Sequence, residues 1–285
     1  MYRYAMRVLR DFYLIIRENI LLLPALLFMG CIFVVPLLGI LATALHLPEL
    51  SLAAFRDVLT SSLYRKVIFN TFEIAFLSTL LAAFVGYPIA YLINGSGSRT
   101  KTALYLLVML SFWVSMIVRS FAWITILGRE GVVSVLFESI GIPGATDGLL
   151  YAKFSVVVGM ANVLLPFMIF PILGSMESID ENLPKAAETL GARGRQVFAR
   201  VFFPLSLPGL AAGCLLVFVL SLGFYITPTL LGGPDSVMVS QLISREVNET
   251  LNWPVAAAVS TLLLVATFGG VAIFNKVVGI DRLFR

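Results

Sequence analysis

The chain has 285 residues, of which 59% are hydrophobic and 13% charged, with a net charge of +4. This composition excludes an ordinary soluble globule and leaves no room for a separate soluble catalytic domain. The two cysteines fall in apolar stretches and support no disulfide framework, and one histidine cannot build a histidine-based metal cluster.

In chain order, segment 1–18 sets Arg3, Arg7, Arg10, Asp11 and Arg17 on one helical stripe opposite Met6, Leu9, Phe12, Tyr13 and Ile16. That pattern predicts an amphipathic helix on the inner leaflet, its Arg heads among anionic lipids. A cleaved signal peptide would need a shorter apolar core than the one starting at Ile20. Six apolar stretches follow, near 20–45, 67–94, 103–127, 154–174, 207–230 and 254–276. Each is long enough to cross about 30 Å of hydrocarbon as a helix. Backbone groups in lipid must pair within their own segment and alternating barrel strands are absent, so the spans are helices. Cys31 and Cys214 fall inside spans as small packing residues, and His46 marks the boundary after the first.

The second span ends in Gly86-Tyr87-Pro88-Ile89-Ala90-Tyr91, and the Gly95-Ser96-Gly97-Ser98 turn joins it to an antiparallel neighbour. Two outer loops are longer. Residues 128–153 hold a short apolar segment from Val132 to Ile140, then Pro143-Gly144 and Asp147; residues 231–253 hold Gly232-Gly233-Pro234-Asp235 and a partly amphipathic stretch through Glu246 and Glu249.

Ionisable residues inside spans are few. Arg119 in the third span and Glu73 in the second each lie some six to eight residues from the outer helix end, roughly 10 Å below the outer surface at about 1.5 Å per residue. A charge at mid-span costs about 3 kcal/mol on insertion scales, so the two are expected to meet, either as an ion pair fixing helix packing or as a pair lining a pathway. Phe112, Trp113 and Trp123 in the third span and Phe224 and Tyr225 in the fifth are candidate pathway aromatics for a cationic solute, against packing or interfacial anchoring.

With the N-terminus inside, inner segments carry thirteen of the twenty basic residues and outer segments six, with Arg119 in a span. The positive-inside rule then puts both termini, and the loop at 183–208, in the cytoplasm. The net charge follows from this asymmetry and from no nucleic-acid partner. The expectation is an all-α membrane protein of six transmembrane helices with a cytoplasmic loop between the fourth and fifth. It divides into a cytoplasmic amphipathic helix (1–19), a first span with its outer loop (20–64), a five-span core (65–276, loop at 175–206) and a cytoplasmic tail (277–285).

That loop, LPKAAETLGARGRQVFARVFFPLSLP over Leu183–Pro208, is the most informative stretch. Asn182 can cap a helix, Pro184 suits its first turn, Ala186, Ala187 and Leu190 share a face, and Gly191 allows a sharp exit. A second short helix is predicted from Arg193, showing Val197, Phe198, Val201 and Phe202 on one side and stopping at Pro204. Two short helices with small and apolar faces at a membrane surface suit a partner's groove.

The spacing Lys185-Ala186-Ala187, Gly191, Val201-Phe202-Phe203-Pro204 resembles the coupling loop of permease subunits of ABC importers, written Glu-Ala-Ala, three residues, Gly, nine residues, Ile-x-Leu-Pro. Lys185 stands where the family has Glu, Val201 where it has Ile and Phe203 where it has Leu. The resemblance covers about 65–275, and Asn70 to Tyr91 looks like the opening of the family's core. It implies ATPase-coupling roles for Lys185, Ala186, Ala187, Glu188, Gly191, Val201 and Pro204. It also implies a bacterial inner-membrane location, a second permease (a different chain, giving a heterodimer), two ATP-binding cassette subunits inside holding ATP and Mg, and a solute-binding protein outside. The outer loops are then either its contact surface or helices tiling the leaflet. Leu164-Leu165-Pro166-Phe167-Met168, Ser178-Ile179-Asp180 and Thr227-Pro228-Thr229-Leu230-Leu231-Gly232-Gly233 look most similar to the spermidine/putrescine group. Permeases for aminophosphonates, opines or ferric ion share the same phrases.

No Gly-x-x-x-x-Gly-Lys-Ser/Thr phosphate loop occurs, nor any Gly-Lys pair, so no cofactor site is expected in this chain. Nucleophile elbows, paired catalytic carboxylates and metal-ligand spacings are missing too. From other classes, an intramembrane enzyme or an ion-coupled secondary transporter stay as alternatives; the latter would call for more acidic residues or broken helices at mid-membrane.

Overall fold

The computed structural model describes residues 23–46, 51–139, 149–180 and 182–278. The predicted amphipathic helix of 1–19 and the tail beyond 278 lie outside the described residues. Thirteen helices are described, joined by short turns.

Helix α1 (Leu23–Ala44) is apolar on all sides and lies along α13 (Trp253–Val278). It closes in a turn at His46, φ 51°, the boundary expected there. Helix α2 (Ala53–Thr60) buries Ala54 and Val58 toward α13. Helix α3 (Ser62–Gly95) has 34 residues, about 50 Å at 1.5 Å per residue, against about 30 Å of hydrocarbon. Its surplus turns carry Tyr64 and Lys66 ahead of the apolar span assigned from 67, and Asn70 falls in that span's first turn.

The third predicted span, 103–127, is not one helix. α4 (Ser98–Trp113) and α5 (Met116–Leu127) are separated by Val114 and Ser115, whose ψ angles of 125° and 136° are extended. A break of this kind leaves carbonyls without partners, which lipid cannot hydrate. Arg119 fills the need, donating from Nη2 to Val114 O at 3.1 Å and from Nη1 to Ser111 Oγ at 3.3 Å.

After α6 (Val132–Ser139), helix α7 (Lys153–Glu177) forms the centre, packed between α3 and α10 (Phe203–Leu222). Lipid tails are as apolar as leucine, so helices associate in a bilayer by close packing at small residues. Gly209 and Gly213 of α10 face α7 so closely that a Cβ on Gly209 would sit 2.4 Å from Pro171 O, and one on Gly213 2.9 Å from Met168 Sδ. Gly86 of α3 likewise faces Met168. Ala82, Ile93, Leu164, Met168, Ile172 and Val217 fill the core between the three. Lys101 Nζ to Glu177 Oε1, 2.8 Å, ties α4 to the end of α7.

The fifth predicted span, 207–230, also needs correcting. α10 starts at Phe203 and ends at Leu222, the chain bends at Gly223, and α11 (Ile226–Leu231) is a separate short helix. A 3₁₀ turn (Pro234–Ser236) and α12 (Val239–Asn248) complete the end of the bundle opposite the 182–204 loop, called the far end below. Among the described residues, six helical stretches are long and apolar enough to cross a membrane, the third being Met116–Ser139 rather than the predicted 103–127.

Candidate functional site

At the loop end, α8 (Asn182–Thr189) has no buried residue: Lys185, Ala186 and Glu188 are exposed and Ala187 is half-buried. Asp180 begins it, its Oδ1 accepting the Asn182 N–H at 2.9 Å, so the cap is Asp180 rather than Asn182. Gly191 ends it at φ 86°. There the Gly191 N–H donates to Glu188 O (2.9 Å) and the Ala192 N–H to Ala187 O (3.1 Å). This paired closure of a helix end requires a left-handed residue. A Cβ on Gly191 would meet no atom within 4 Å, so backbone conformation, not space, demands glycine. The turn leaves Leu190 89% exposed.

The second loop helix does not stop at Pro204. α9 (Gly194–Val197) runs through a π turn (Phe198–Phe202) directly into α10. The Phe203 N–H reaches back five residues to Phe198 O. Proline in an ordinary helix loses a donor and strikes the carbonyl four residues back; the wider turn gives the Pro204 ring room. Val201 is half-buried in that turn and Pro204 is exposed.

The far end is polar. Lys153, first residue of α7, donates to Glu73 Oε2 at 2.6 Å and to Asn70 Oδ1 at 3.3 Å. Asn70 Nδ2 donates to Asp235 O (2.8 Å), and Lys66 Nζ meets Asp235 Oδ1 (2.8 Å), which holds that carboxyl below the usual aspartate range. The Val239 N–H donates to Thr71 Oγ1 at 2.8 Å. Glu246 is 7% exposed, accepting from Tyr64 OH (3.0 Å) and Thr250 Oγ1 (2.6 Å). Together these bonds fasten segment 234–250 to α3 and tie α3 to the start of α7.

The expected Glu73–Arg119 pair is not formed. Glu73 takes Lys153, because α7 opens with its amine opposite Glu73. Arg119 turns to the helix break and to Val163 O on α7 (3.4 Å), and its buried Nε has no hydrogen-bond partner among the described residues. Of the candidate aromatics, Phe112 packs on α7, edge-on to Phe167 at 4.9 Å and stacked on Phe170 at 5.9 Å. Trp113 is 86% exposed, while Trp123 and Phe224 pack half-buried on Ile74 and Met160. Tyr225 stands at a far-end cavity of about 500 Å³ that Asn70, Thr229, Gln241 and Glu249 also line. The five candidates therefore do not converge on one surface.

Lys153, Asn70 and Asp235 belong to no motif in the sequence that marks them as partners. The signal for Lys153 is its place at the start of the fourth span, at the same end of the bundle as Glu73.

Comparison with known proteins bears on what this bundle is. Residues 78–275 match the family described as binding-protein-dependent transport system inner membrane component. The spermidine/putrescine transport system permease protein PotB of Haemophilus influenzae is 34% identical over 207 residues, 73% of this chain and 72% of that protein. The inner membrane ABC transporter permease protein YdcU of Escherichia coli is 31% identical over 239 residues, covering 78% and 74%. In fold, the chain is similar to one of a bacterial alginate ABC transporter crystallised with an alginate-bound periplasmic protein, with TM-score 0.73, 22% identity and 96% of both chains covered. The chain therefore belongs to the binding-protein-dependent transport system inner membrane component family, as a multi-pass inner-membrane permease subunit of an ABC importer rather than an enzyme.

Proposed function

We propose that this permease carries a polyamine of the spermidine/putrescine class, with both termini and the 182–204 loop in the cytoplasm. α8 seats in a groove of an ATP-binding cassette subunit, and two such subunits hold ATP and Mg. A second, different permease completes the pathway, and a solute-binding protein delivers the cargo at the far end. Closure of the ATPase pair on ATP pushes α8, and the permease pair rocks between inward-open and outward-open states. Only interactions that differ between those states shift their balance.

The observation that carries this reading is the loop's form. α8 keeps every side chain out of the core while its exit is fixed by the Gly191 turn. A rigid helix offering Ala186 and the exposed Leu190 suits an apolar groove. The solute class rests on the likeness to a polyamine permease.

The test is the complete complex, purified and reconstituted with its receptor protein. Ala186→Asp places a charge in the docking groove and is expected to abolish ATP-driven spermidine uptake while the subunit still inserts. Normal uptake by both Ala186→Asp and Gly191→Pro would overturn the coupling role. Uptake of another solute with spermidine ignored would overturn the solute class alone.

A further inference from the structure

The loop reaches the bundle through aromatic rings that the docking surface does not use. α8 packs on the π turn, and the π turn packs on α3. Tyr91 of α3 meets Phe198 at 5.3 Å and Phe202 at 5.4 Å, both edge-on. One turn earlier, Tyr87 meets Phe203 at 5.5 Å and Phe198 at 6.4 Å, again edge-on. The Tyr87 hydroxyl lies 2.7 Å from the buried Ser206 Oγ, whose own proton points to Phe203 O at 2.9 Å, so the tyrosine is the donor. Edge-to-face rings resist sliding because each positive rim sits on a negative face. Lipid contacts have no such direction.

We infer that Tyr87 and Tyr91 are positioning residues for transport: they grip the π turn so that displacement of α8 moves α3, and with it the bundle packed on α7. Without this grip the loop could dock and push on α10, into which it runs, while α3 stayed still. The inference rests on the docking of α8 proposed above and adds the route by which its motion leaves the loop. The rings lie at i and i+4 on α3 and at i and i+4 on the π turn, so two pairs close on each other like a clasp. The Tyr87–Ser206 bond then ties the same turn of α3 to α10.

The experiment uses the complete complex in lipid nanodiscs, with Leu230→Cys as a far-end reporter in a Cys31→Ser, Cys214→Ala background. Its reaction rate with a membrane-impermeant maleimide is compared with and without trapping by ATP and vanadate. The parent is expected to change rate on trapping. Tyr91→Phe keeps that change within about twofold, whereas Tyr91→Ala, losing two ring contacts, reduces it about tenfold while ATPase subunits still copurify and hydrolyse ATP. Phe198→Leu, which keeps apolar volume but not the ring, gives a second variant should Tyr91→Ala fold poorly. An ATP response equal to the parent's in Phe198→Leu and in any folded Tyr91→Ala overturns the clasp and leaves the docking of α8 standing. If ATPase subunits fail to copurify with the parent, or the parent shows no ATP response, docking fails and the clasp with it.

Discussion

The two ends of the bundle are held by different forces. At the loop end the contacts on the π turn are ring edges around Tyr87 and Tyr91, with the Lys101–Glu177 pair beside them, and the helix beyond has no buried residue. At the far end charges and hydroxyls do the holding: Lys66 on Asp235 and Tyr64 on Glu246 fasten segment 234–250 to α3, and Lys153 on Glu73 fastens α7 to it. Apolar ring contacts ignore salt and pH and let a hinged element move as one piece. A polar network weakens with salt and acid and fixes register instead. Under the proposed mechanism, ring contacts suit an end that is pushed as one piece, and the polar network suits an end that keeps its register.

The comparison breaks most completely at the packing both ends share. Gly209→Val drives two methyls into Pro171 O and Ser175 Cβ, each 2.4 Å from an ideal Cβ. α10 must leave α7, at about 3 kcal/mol or more. Thermal melts of the detergent-solubilised subunit are expected to show a large fall in Tm or no folded material.

Next comes the far-end pair. Glu73→Gln removes the carboxylate that Lys153 meets at 2.6 Å, with both side chains about one-third exposed. After discounting for water, the loss is about 1 kcal/mol in the same melts. The charge-swapped double variant Glu73→Lys, Lys153→Glu recovers most of it. Exchanging Glu73 with Arg119 instead is expected to rescue nothing, because Arg119 serves the carbonyls at the α4–α5 break.

Much of this was legible in the chain, and the failures have causes. Six spans could be read because hydrocarbon thickness dictates their length. The Gly191 exit could be read because only a left-handed residue closes a helix that way. The Val114–Ser115 break could not, since neither glycine nor proline marks it and both flanks are apolar. The end of α10 at Leu222 was hidden for a related reason: Phe224 to Leu231 carries no charge and continues the uncharged run, though the backbone has turned at Gly223. Tyr87 and Tyr91 show their i, i+4 spacing plainly, yet only the fold reveals that Phe198 and Phe202, over a hundred residues on, answer it. Glu73 advertised a need for a cation, and three-dimensional order chose Lys153 over Arg119.

Gly191→Ala sharpens the loop end. No atom obstructs the new methyl, so the cost is the left-handed conformation at φ 86°, about 1 kcal/mol. Ring contacts at Tyr91 are untouched. Spermidine uptake by the reconstituted complex is expected to fall severalfold with ATPase subunits still attached, a milder loss than that of Ala186→Asp. Equal loss in both variants would mean that the loop's fold, not its docking face, is what matters.

The smallest effect belongs to the most exposed part of the polar network. The Lys66 amine, 2.8 Å away, holds the Asp235 carboxyl below its ordinary value through a hydrogen bond and attraction. A lowered carboxylate pKa in the folded state means that its contribution is fully present above the unfolded value, near pH 4, and is lost as pH falls through the folded one. Neutral pH therefore leaves the contact intact, and only acid releases it. The side-chain carboxyl ¹³C resonance of Asp235 should titrate at a lower midpoint than a free aspartate, and Lys66→Met should return it toward the ordinary range. The 234–236 turn would still be fastened by Asn70 Nδ2 on the Asp235 carbonyl, which does not titrate. An unshifted midpoint in the parent would show that the lysine swings free in solution. The grip of the far end would then rest on the Lys153–Glu73 pair and on buried hydroxyl and amide bonds, and its sensitivity to salt would fall to what that one pair supplies.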